Sequence, residues 1–307
     1  MSLANFSALV IIAVAATAGL VIGLSWAIAR LWCMPRRRIP SKGPLDYGLA
    51  YEPISFSSND VPMRGWFIPP ASRPDPAPTV IVAHGWSGNA ADMLPAARVL
   101  QRAGLAVALY DARGHGTSGK DGPITILKFA EDIQACLDYL GSRSDVDPDR
   151  IGLLGHSLGG SGALLAASVD SRVHAVVSCS AFADPRTITA DFLRRLHIPL
   201  WPFLPLVCRF IERWLGTRME EVAPKNRAGR IRAPLLLLHG TRDQFIPPKH
   251  MEALYGAVSH ERVEMRRLLN RHHVDVTTDA NCGDEIVAFF EKHLHPAAAR
   301  EPAVAHN

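Results

Sequence analysis

The amino-acid sequence predicts an α/β domain whose mostly parallel sheet carries helices on both faces. Six short apolar runs recur along residues 79–268, helix-length segments lie between most of them, and a G-x-S-x-G string follows the third run. The runs are Thr79–Ala83, Leu105–Tyr110, Ile151–Leu154, Ala175–Cys179, Leu235–Leu238 and Val263–Leu268. Because the first five of these strands are apolar throughout, both faces of the sheet must be covered, as is typical of parallel sheets. The sixth contains the charged residues Glu264, Arg266 and Arg267.

The segments between the strands have the length of helices, and a strand pair precedes them. The predicted helices are Ala91–Ala103, Ile124–Leu140, Leu158–Ser168, Lys249–Ala257 and Asp284–His293. Upstream, Tyr51–Phe56 and Met63–Ile68 are predicted to form an antiparallel hairpin that turns at residues 58–60. The five prolines within Pro69–Pro78 exclude regular structure there.

A long insertion interrupts the alternation between the fourth and fifth strands. The 55 residues between Cys179 and Leu235 far exceed one crossover helix, and they are rich in Pro, Leu, Phe and Trp. We therefore predict a small helical cap at about residues 183–232. The α/β domain is expected to extend over residues 49–295, followed by a flexible tail at residues 296–307.

The net charge of +4 is local to the N-terminal region. Five cations lie within residues 30–42, and the rest of the chain holds 28 basic and 29 acidic residues. These cations are Arg30, Arg36, Arg37, Arg38 and Lys42. A body so close to neutral excludes the basic face that a nucleic-acid-binding protein needs, so no nucleic-acid partner is expected.

The five cysteines are scattered and form no C-x-x-C pair. This pattern argues against a disulfide framework or a zinc site and is typical of a reducing compartment. The chain is also long enough to bury a sizeable core without such supports. We expect no metal and no cofactor, and the oligomeric state stays open.

Residues 1–32 are predicted to form a transmembrane helix, followed by a basic linker at residues 33–48. Ala8–Ala29 contains no charged residue, and its 22 residues would form about 33 Å of helix, enough to cross the hydrocarbon core. The basic cluster follows the span, so the positive-inside rule predicts a single-pass membrane protein with its main domain in the cytoplasm.

Two other interpretations of the N-terminal segment stay open. The Ala-Ile-Ala sequence at residues 27–29 resembles a signal-peptide cleavage site, although the charged n-region of a signal peptide is missing. A buried helix of a soluble protein is the second alternative, and it would need protein on every side.

The G-x-S-x-G string at residues 155–159 places Ser157 between a predicted strand and a predicted helix. This is the context of a nucleophilic serine, because the tight turn exposes the hydroxyl at the carboxyl end of the sheet. Gly155 and Gly159 remove Cβ atoms that would clash in such a turn. A dinucleotide site beginning at Gly160 fits less well, since its glycines fall inside the helix and no acidic residue ends the next strand.

At this point the chain resembles the α/β-hydrolase family over roughly Tyr51–His293. The H-G-x-x-G string at residues 84–88 is similar to the oxyanion loop of the family. The resemblance implies an oxyanion hole built from the backbone N–H groups of Trp86 and Leu158. It implies a structural role for His84.

Two further strings support the resemblance. Residues 111–118 are similar to a D-x-R-G-x-G-x-S string whose role in the family is mostly architectural. His115 within it precedes the nucleophile, whereas the family order is Ser, acid, His. The apolar strand at residues 235–238 leads into H-G-x-x-D, so the resemblance implies that Asp243 is the triad carboxylate, which fixes the histidine tautomer.

The resemblance places the general base after the last strand, where the chain has N-R-H-H-V-D at residues 270–275. The family pattern of Gly-x-Gly-His is absent there. Aligning the trailing Asp275 favours His273, with His272 as the alternative base. A His-His-x-Asp metal site is a weaker interpretation, because it offers too few ligands.

These features predict a serine hydrolase that cleaves a carboxylic ester through an acyl-enzyme. The expected partners are a small-molecule ester or lipid-like substrate and the membrane. The cap carries Trp201, Phe203, Phe210 and Trp214, which could pack as core or line an acyl pocket.

Two alternatives to an esterase remain. The first is a peptidase or amidase of the same fold, which would bind an N-terminal amine through acidic residues of the cap. Those available are Asp184, Asp191, Glu220 and Glu221. The second alternative is a non-catalytic, membrane-anchored scaffold with a broken triad.

Overall fold

The computed structural model describes residues 3–71, 76–259, 261–275 and 280–294, and these residues form one eight-stranded sheet with helices on both faces. The strands are β1 (Glu52–Ser58), β2 (Val61–Ile68), β3 (Ala77–Ala83), β4 (Ala106–Asp111), β5 (Val146–His156), β6 (Ala175–Cys179), β7 (Leu235–Gly240) and β8 (Val263–Leu268). Their order in the sheet is β1-β2-β4-β3-β5-β6-β7-β8. The predicted fold class is confirmed, and the predicted tail at residues 296–307 lies outside the described residues.

The helices are close to those that the sequence predicts. They are α1 (Leu3–Cys33), α2 (Leu94–Arg102), α3 (Ile126–Gly141), α4 (Leu158–Ala167), α5 (Pro185–Arg195), α6 (Leu200–Leu215), α7 (Pro224–Arg227), α8 (Lys249–Tyr255) and α9 (Ala280–Leu294). The five predicted helices of the α/β domain are present, with their ends shifted by a few residues. The last of them begins four residues earlier than predicted.

Strand pairing is parallel from β4 to β8 and antiparallel at the other edge of the sheet. The predicted hairpin pairs β1 with β2, and β2 also pairs antiparallel with β4. Gly65 makes this second pairing possible, because a Cβ atom at that position would lie 2.0 Å from the carbonyl oxygen of Leu109. A single glycine thus lets the hairpin join the parallel sheet.

The sheet separates two apolar cores, as its continuously apolar strands predict. Along β3, Ile81 and Ala83 pack into the core that contains α3 and α4, whereas Val80 and Val82 pack into the core of α2 and α9. Side chains alternate between the two faces of a strand, so every position of β3 is buried. Double-sided burial is the reason that the strand lacks polar alternation.

The insertion between β6 and β7 is helical. It consists of α5, α6, α7 and two 3₁₀ turns at Met219–Val222 and Ala228–Arg230. Asp184 begins α5 by accepting the backbone N–H groups of Arg186 and Thr187. The backbone of Trp201 is not helical, so the regular part of α6 starts after this residue.

α1 is long and apolar enough to cross a membrane, and it is the only such helix among the described residues. An 18-residue stretch of it has a mean hydropathy of 2.5, and most of its side chains are exposed. Ser25, Ala29 and Cys33 are buried, and their spacing of four residues forms one stripe. α1 packs against α6, so the end of the apolar helix is part of the folded domain.

The basic segment after α1 is bound to the domain rather than forming a free linker. The carbonyl of Cys33 accepts the N–H of Ile124 at 2.7 Å, and the N–H of Arg36 donates to Ser87 Oγ at 3.1 Å. The guanidinium Nε of Arg37 donates to the carbonyl of Gly116 at 2.9 Å. These bonds fix the segment across the loops at the carboxyl edge of the sheet.

The D-x-R-G-x-G-x-S string is architectural in the structure. Asp111 accepts the N–H of Ala90 at 2.8 Å and the N–H of Thr117 at 2.6 Å, which ties two loops together. Arg113 is 1% exposed, and its Nε donates to Asp132 at 2.7 Å. The same guanidinium contacts further acceptors, namely Asp121, Glu131 and the hydroxyl of Ser58.

Replacing Arg113 with methionine should destabilise the fold strongly. The Arg113→Met variant leaves Asp132, which is fully buried, without its ion-pair partner, and breaking a buried pair costs about 3–5 kcal/mol. We expect a marked fall in the unfolding temperature of the purified protein.

Arg172→Met is the matched control, because Arg172 also binds two aspartates but its side chain is 42% exposed. A surface ion pair contributes about 1 kcal/mol or less, so this variant should remain close to wild type. Equal unfolding temperatures for the two variants would contradict the architectural role of Arg113.

Candidate active site

Ser157 lies at the turn between β5 and α4, with a backbone conformation that few residues adopt. Its φ and ψ are 56° and −119°, and its N–H donates to the carbonyl of Cys179 at 2.8 Å. A Cβ atom at Gly155 would lie 2.3 Å from the carbonyl oxygen of Gly159, and one at Gly159 would lie 2.4 Å from that of Ala83. The predicted need for both glycines is confirmed, since the turn has no room for side chains there.

The structure brings His273, and not His272, to the predicted carboxylate. His273 Nδ1 lies 2.7 Å from Asp243 Oδ2. Because a carboxylate only accepts, Nδ1 carries the proton and Nε2 is left free to accept one. The side chain of His272 is exposed. The backbone N–H of His272 donates to Asp275 Oδ2 at 2.7 Å, which orders the loop around His273.

Asp243 is buried at the end of β7 and held by several donors. Its Oδ1 accepts the N–H groups of Phe245 at 2.9 Å and Ile246 at 2.8 Å, and His239 Nε2 lies 3.4 Å from its Oδ2. Burial by itself raises the pKa of this carboxyl group, but the close approach of the His239 ring, whose Nε2 donates to the carbonyl of Ile246 at 2.7 Å, and the hydrogen bond from His273 hold the pKa well below its usual range. Asp243 is therefore a carboxylate at any physiological pH.

His156 is a site residue that the sequence did not identify. Its Nε2 donates to the backbone carbonyl of His273 at 2.8 Å, and the two rings lie 4.8 Å apart. Burial, together with the nearby His273, lowers the pKa of His156 to about 4, so this ring is neutral at pH 7. His156 therefore joins the turn of Ser157 to the loop of His273, which is 117 positions distant in the chain.

His84 and His115 hold the loop that contains Trp86. His84 Nδ1 donates to the carbonyl of Gly85 at 2.8 Å, and its Nε2 accepts the N–H of Ala112 at 2.9 Å. His115 Nε2 accepts the N–H of Ser87 at 3.2 Å. Both ring nitrogens of His84 are thus occupied by backbone groups, in agreement with the structural role that the resemblance implies.

The predicted oxyanion residues flank Ser157 from two elements. Trp86 lies in the loop after β3 and lines the cavities at Ser157. Leu158 is the first residue of α4, and the first turn of a helix leaves its N–H groups without intrahelical acceptors. The positive end of the α4 dipole therefore points at the space beside the serine.

Two cavities meet at Ser157, and they differ in chemistry. The first is apolar, and it is lined by residues of α1, α5 and α6 that include Trp32, Cys33, Ile188, Ile211 and Leu215. The second is polar, and its lining includes Arg38, Lys42, Asn89, Asp92 and His273. Trp86, Ser157 and Phe245 line both cavities, so a bound molecule could place different groups on the two sides of the serine.

The contribution of α1 to the apolar cavity was also not predicted. Trp32 stacks on Phe192 of α5 with ring centroids 4.0 Å apart, and Cys33 is buried beside it. The predicted membrane anchor, which would place the domain near a bilayer, was the only signal in the sequence. No local pattern reveals that the last turn of an apolar N-terminal helix forms a wall of a cavity.

A metal site has no support within the parts of the chain that the structure describes. No group of three or more His, Cys, Asp and Glu side chains is arranged to hold a metal ion among these residues. His273 binds Asp243 instead of facing a shared centre with His272 and Asp275.

Two buried histidines should make the folded state less stable below neutral pH. Burial lowers the pKa of His115 to about 3 and that of His156 to about 4, from an ordinary value of 6.5. Between pH 6.5 and 4 the unfolded chain binds protons that the folded chain does not. The free energy of unfolding therefore decreases as the pH is lowered, by up to about 1.4 kcal/mol per pH unit for each histidine. We expect a lower unfolding temperature at pH 5 than at pH 7.

The variants His115→Gln and His156→Gln should each lose less stability over this pH range, because each removes one buried histidine with a lowered pKa; His84 and His250, whose pKa values burial also lowers, stay in both variants. His272→Gln is the control, since the side chain of His272 is exposed. The same pH dependence in all four proteins would show that burial of these two rings does not control acid stability.

The chain is similar in sequence to a known protein family and to two known relatives. The sequence model of the family described as serine aminopeptidase, S33 (Hydrolase_4) matches residues 74–224. The uncharacterized protein YfhR of Escherichia coli K12 is 31% identical over 258 residues, which cover 80% of this chain and 82% of YfhR. The α/β hydrolase domain-containing protein WAV2 of Arabidopsis thaliana is 30% identical over 221 residues, which cover 69% of this chain and 68% of WAV2.

Solved structures share the same architecture. The Pyrococcus furiosus esterase Pf2001 superposes with a TM-score of 0.70 and 23% sequence identity, over 85% of this chain and 98% of the esterase. At this identity the similarity is one of fold. Together with the sequence relatives, it shows that the chain belongs to the α/β-hydrolase family.

Proposed function

We propose that the chain is a serine hydrolase that cleaves a carboxylic ester through an acyl-enzyme. The observation that carries the proposal is the pairing of His273 with a buried carboxylate, Asp243, at the cavity that Ser157 lines. A nucleophile needs an adjacent base, and the base needs a third group to hold its tautomer. These residues stand in the family order of serine, acid and histidine.

The proposed mechanism uses the chain's own groups at every step. His273 Nε2 takes the proton of Ser157 Oγ, which attacks the ester carbonyl, and Asp243 stabilises the resulting imidazolium. The N–H groups of Trp86 and Leu158 stabilise the oxyanion. The alcohol leaves with the proton from His273, and a water molecule then hydrolyses the acyl-enzyme with the same base.

The surroundings of Ser157 favour an ester with an apolar acyl group over a peptide. An aminopeptidase needs a carboxylate to bind the substrate's N-terminal amine. Asp184 pairs with Lys225 at 2.7 Å, and Asp191 contacts Lys249 at 2.9 Å, so both have cationic partners already. None of the four acidic cap residues lines the cavities at Ser157, whereas the apolar cavity suits an acyl chain.

We further propose that α1 anchors the protein in a membrane, with the hydrolase domain in the cytoplasm. The support is the length and hydropathy of α1 and the basic residues that follow it. Ser25 and Ala29 are fully buried beneath the cap, which favours a retained helix over a cleaved signal peptide. The cap covers only one stripe of α1, so most side chains of the helix are exposed and would face lipid.

Active-site labelling tests the nucleophile and the base. A fluorophosphonate probe should label the wild-type protein in native membranes, and Ser157→Ala should abolish labelling. His273→Ala should reduce the labelling rate by at least about 10³, because the serine loses its base. His272→Ala is the matched control and should keep wild-type labelling.

A folded wild-type protein that resists the probe would overturn the hydrolase proposal and favour a non-catalytic scaffold. Labelling followed by turnover of amides but not of p-nitrophenyl esters would instead favour the peptidase alternative. Loss of labelling with His272→Ala, and not with His273→Ala, would show that His272 is the base instead of His273.

Asp243→Asn should keep the fold but reduce ester hydrolysis by about 10⁴ in kcat. The amide can hold the imidazole in the wrong tautomer and no longer stabilises the imidazolium. The rate of p-nitrophenyl ester hydrolysis measures the effect, and the unfolding temperature checks that the fold is intact. A folded variant with the wild-type rate would exclude Asp243 from the triad.

A further inference from the structure

The start of α6 and the loop before it form an apolar surface that the hydrolase mechanism does not explain. Residues 198–208 contain no charged side chain, and arginines lie on either side of them. Trp201 is 79% exposed, although a tryptophan ordinarily contributes to a core. We call residues 198–206 the cap tip. Pro199 and Trp201 are exposed, and the other seven residues of the cap tip are half-buried. An uncharged segment with an exposed tryptophan is suited to contact with another apolar phase or partner.

The cap tip lies beside the middle of α1. Pro202 and Leu206 line one groove together with residues of α1. The α1 residues of this groove are Ala13, Val14, Thr17, Ala18, Val21 and Ile22. They are centred near the midpoint of the uncharged run Ala8–Ala29, so the cap tip stands at the depth of the centre of the proposed membrane span.

The opposite ends of the same two helices meet at the apolar cavity. Cys33 of α1 and Leu215 of α6 both line it, so the helices run side by side in the same direction. From Leu215 back to Pro202, the regular part of α6 extends about 20 Å, and α1 covers the same distance between Cys33 and Leu20. The cavity therefore lies at the end of the span, and the start of the regular part of α6 lies about 20 Å deeper.

The charges nearby fit this arrangement. Arg194 and Arg195 precede the cap tip and Arg209 follows it, while no acidic residue occurs between Asp191 and Glu212. Basic residues beside an apolar insertion bind the anionic lipid headgroups at a membrane surface. The cap tip is helical after Trp201, and Pro199, Pro202 and Pro205 have no N–H group, which reduces the number of backbone N–H groups left unpaired in lipid.

We infer that the cap tip is inserted into the bilayer beside α1, and that the apolar cavity therefore receives its substrate, a lipid acyl ester, directly from the membrane. The inference rests on the proposed function and on the proposed anchor. The acyl chain occupies the apolar cavity between α1, α5 and α6, and the polar part of the lipid faces the cavity lined by Arg38 and Lys42. The cap is thus a second membrane-contacting element.

Depth-dependent quenching tests the insertion in the full-length protein. All five native cysteines are buried, so a cysteine introduced as Trp201→Cys can be labelled selectively with a nitrobenzoxadiazole fluorophore before reconstitution into liposomes. Lipids with a spin label deep in the acyl chain should quench this probe more strongly than lipids labelled at the headgroup. Val169→Cys is the control, because Val169 is 60% exposed at the far end of α4, and its probe should not be quenched.

Two results would overturn the insertion. Emission typical of water with no quenching by lipid would place the cap tip in solvent. A blue-shifted probe that lipid spin labels do not quench would show that a second copy of the chain covers the cap tip instead.

Hydrolysis rates on a membrane-embedded ester and on a soluble ester distinguish failure of the insertion from failure of the proposed hydrolase chemistry. Trp201→Glu should reduce kcat/KM for a long-chain acyl ester embedded in vesicles by about tenfold or more, because a carboxylate opposes insertion. The same variant should hydrolyse a short, soluble p-nitrophenyl ester at the wild-type rate, and Val169→Glu should be unaffected with both substrates. Equal rates for Trp201→Glu and wild type on vesicles would overturn the inference, whereas a wild type inactive on every ester would instead overturn the proposed function.

Discussion

The close backbone approach at the turn of Ser157 is the constraint on which the rest of the site depends. Because Gly155 and Gly159 have no Cβ atoms, α4 can start against the end of β3. The tight turn between β5 and α4 holds Ser157 at a positive φ, which is a strained backbone conformation. This contact fixes the nucleophile relative to the loop of Trp86, which leaves the same strand. The neighbouring strand β6 secures the turn through the carbonyl of Cys179. The geometry of the site is therefore set by the sheet and not by flexible loops.

The partners of the serine are held by a second set of short contacts. Gly240 ends β7, and a Cβ atom there would lie 2.3 Å from the carbonyl of Arg271, so the strand that delivers Asp243 also supports the loop of His273. His156 then binds the backbone of that loop from the nucleophile side. Each member of the proposed triad thus depends on its neighbours through the backbone, which preorganises the site before any substrate binds.

Local patterns in the sequence were sufficient for the strands, the main helices and the strings around Ser157 and Asp243, because burial and tight turns restrict residue types locally. The choice between His272 and His273 needed the structure, since adjacent residues differ only in where the loop points them. The contacts of His156, of Trp32 and of Arg36 join segments far apart in the chain. Neither periodicity nor turn chemistry encodes such pairings, so these parts of the site could not be predicted.

The hydrogen bonds of Cys33 and Arg36 to the domain leave almost no flexible chain between α1 and the active site. A domain on a long tether samples the surrounding solution, but if α1 spans a membrane as proposed, this one would keep a fixed height and tilt above the bilayer. The enzyme and its substrate would then meet by diffusion in two dimensions, within the plane of the membrane. The surface density of substrate within one leaflet, and the speed of lateral diffusion, would govern how often the serine meets an ester, while the volume of the cell would hardly matter.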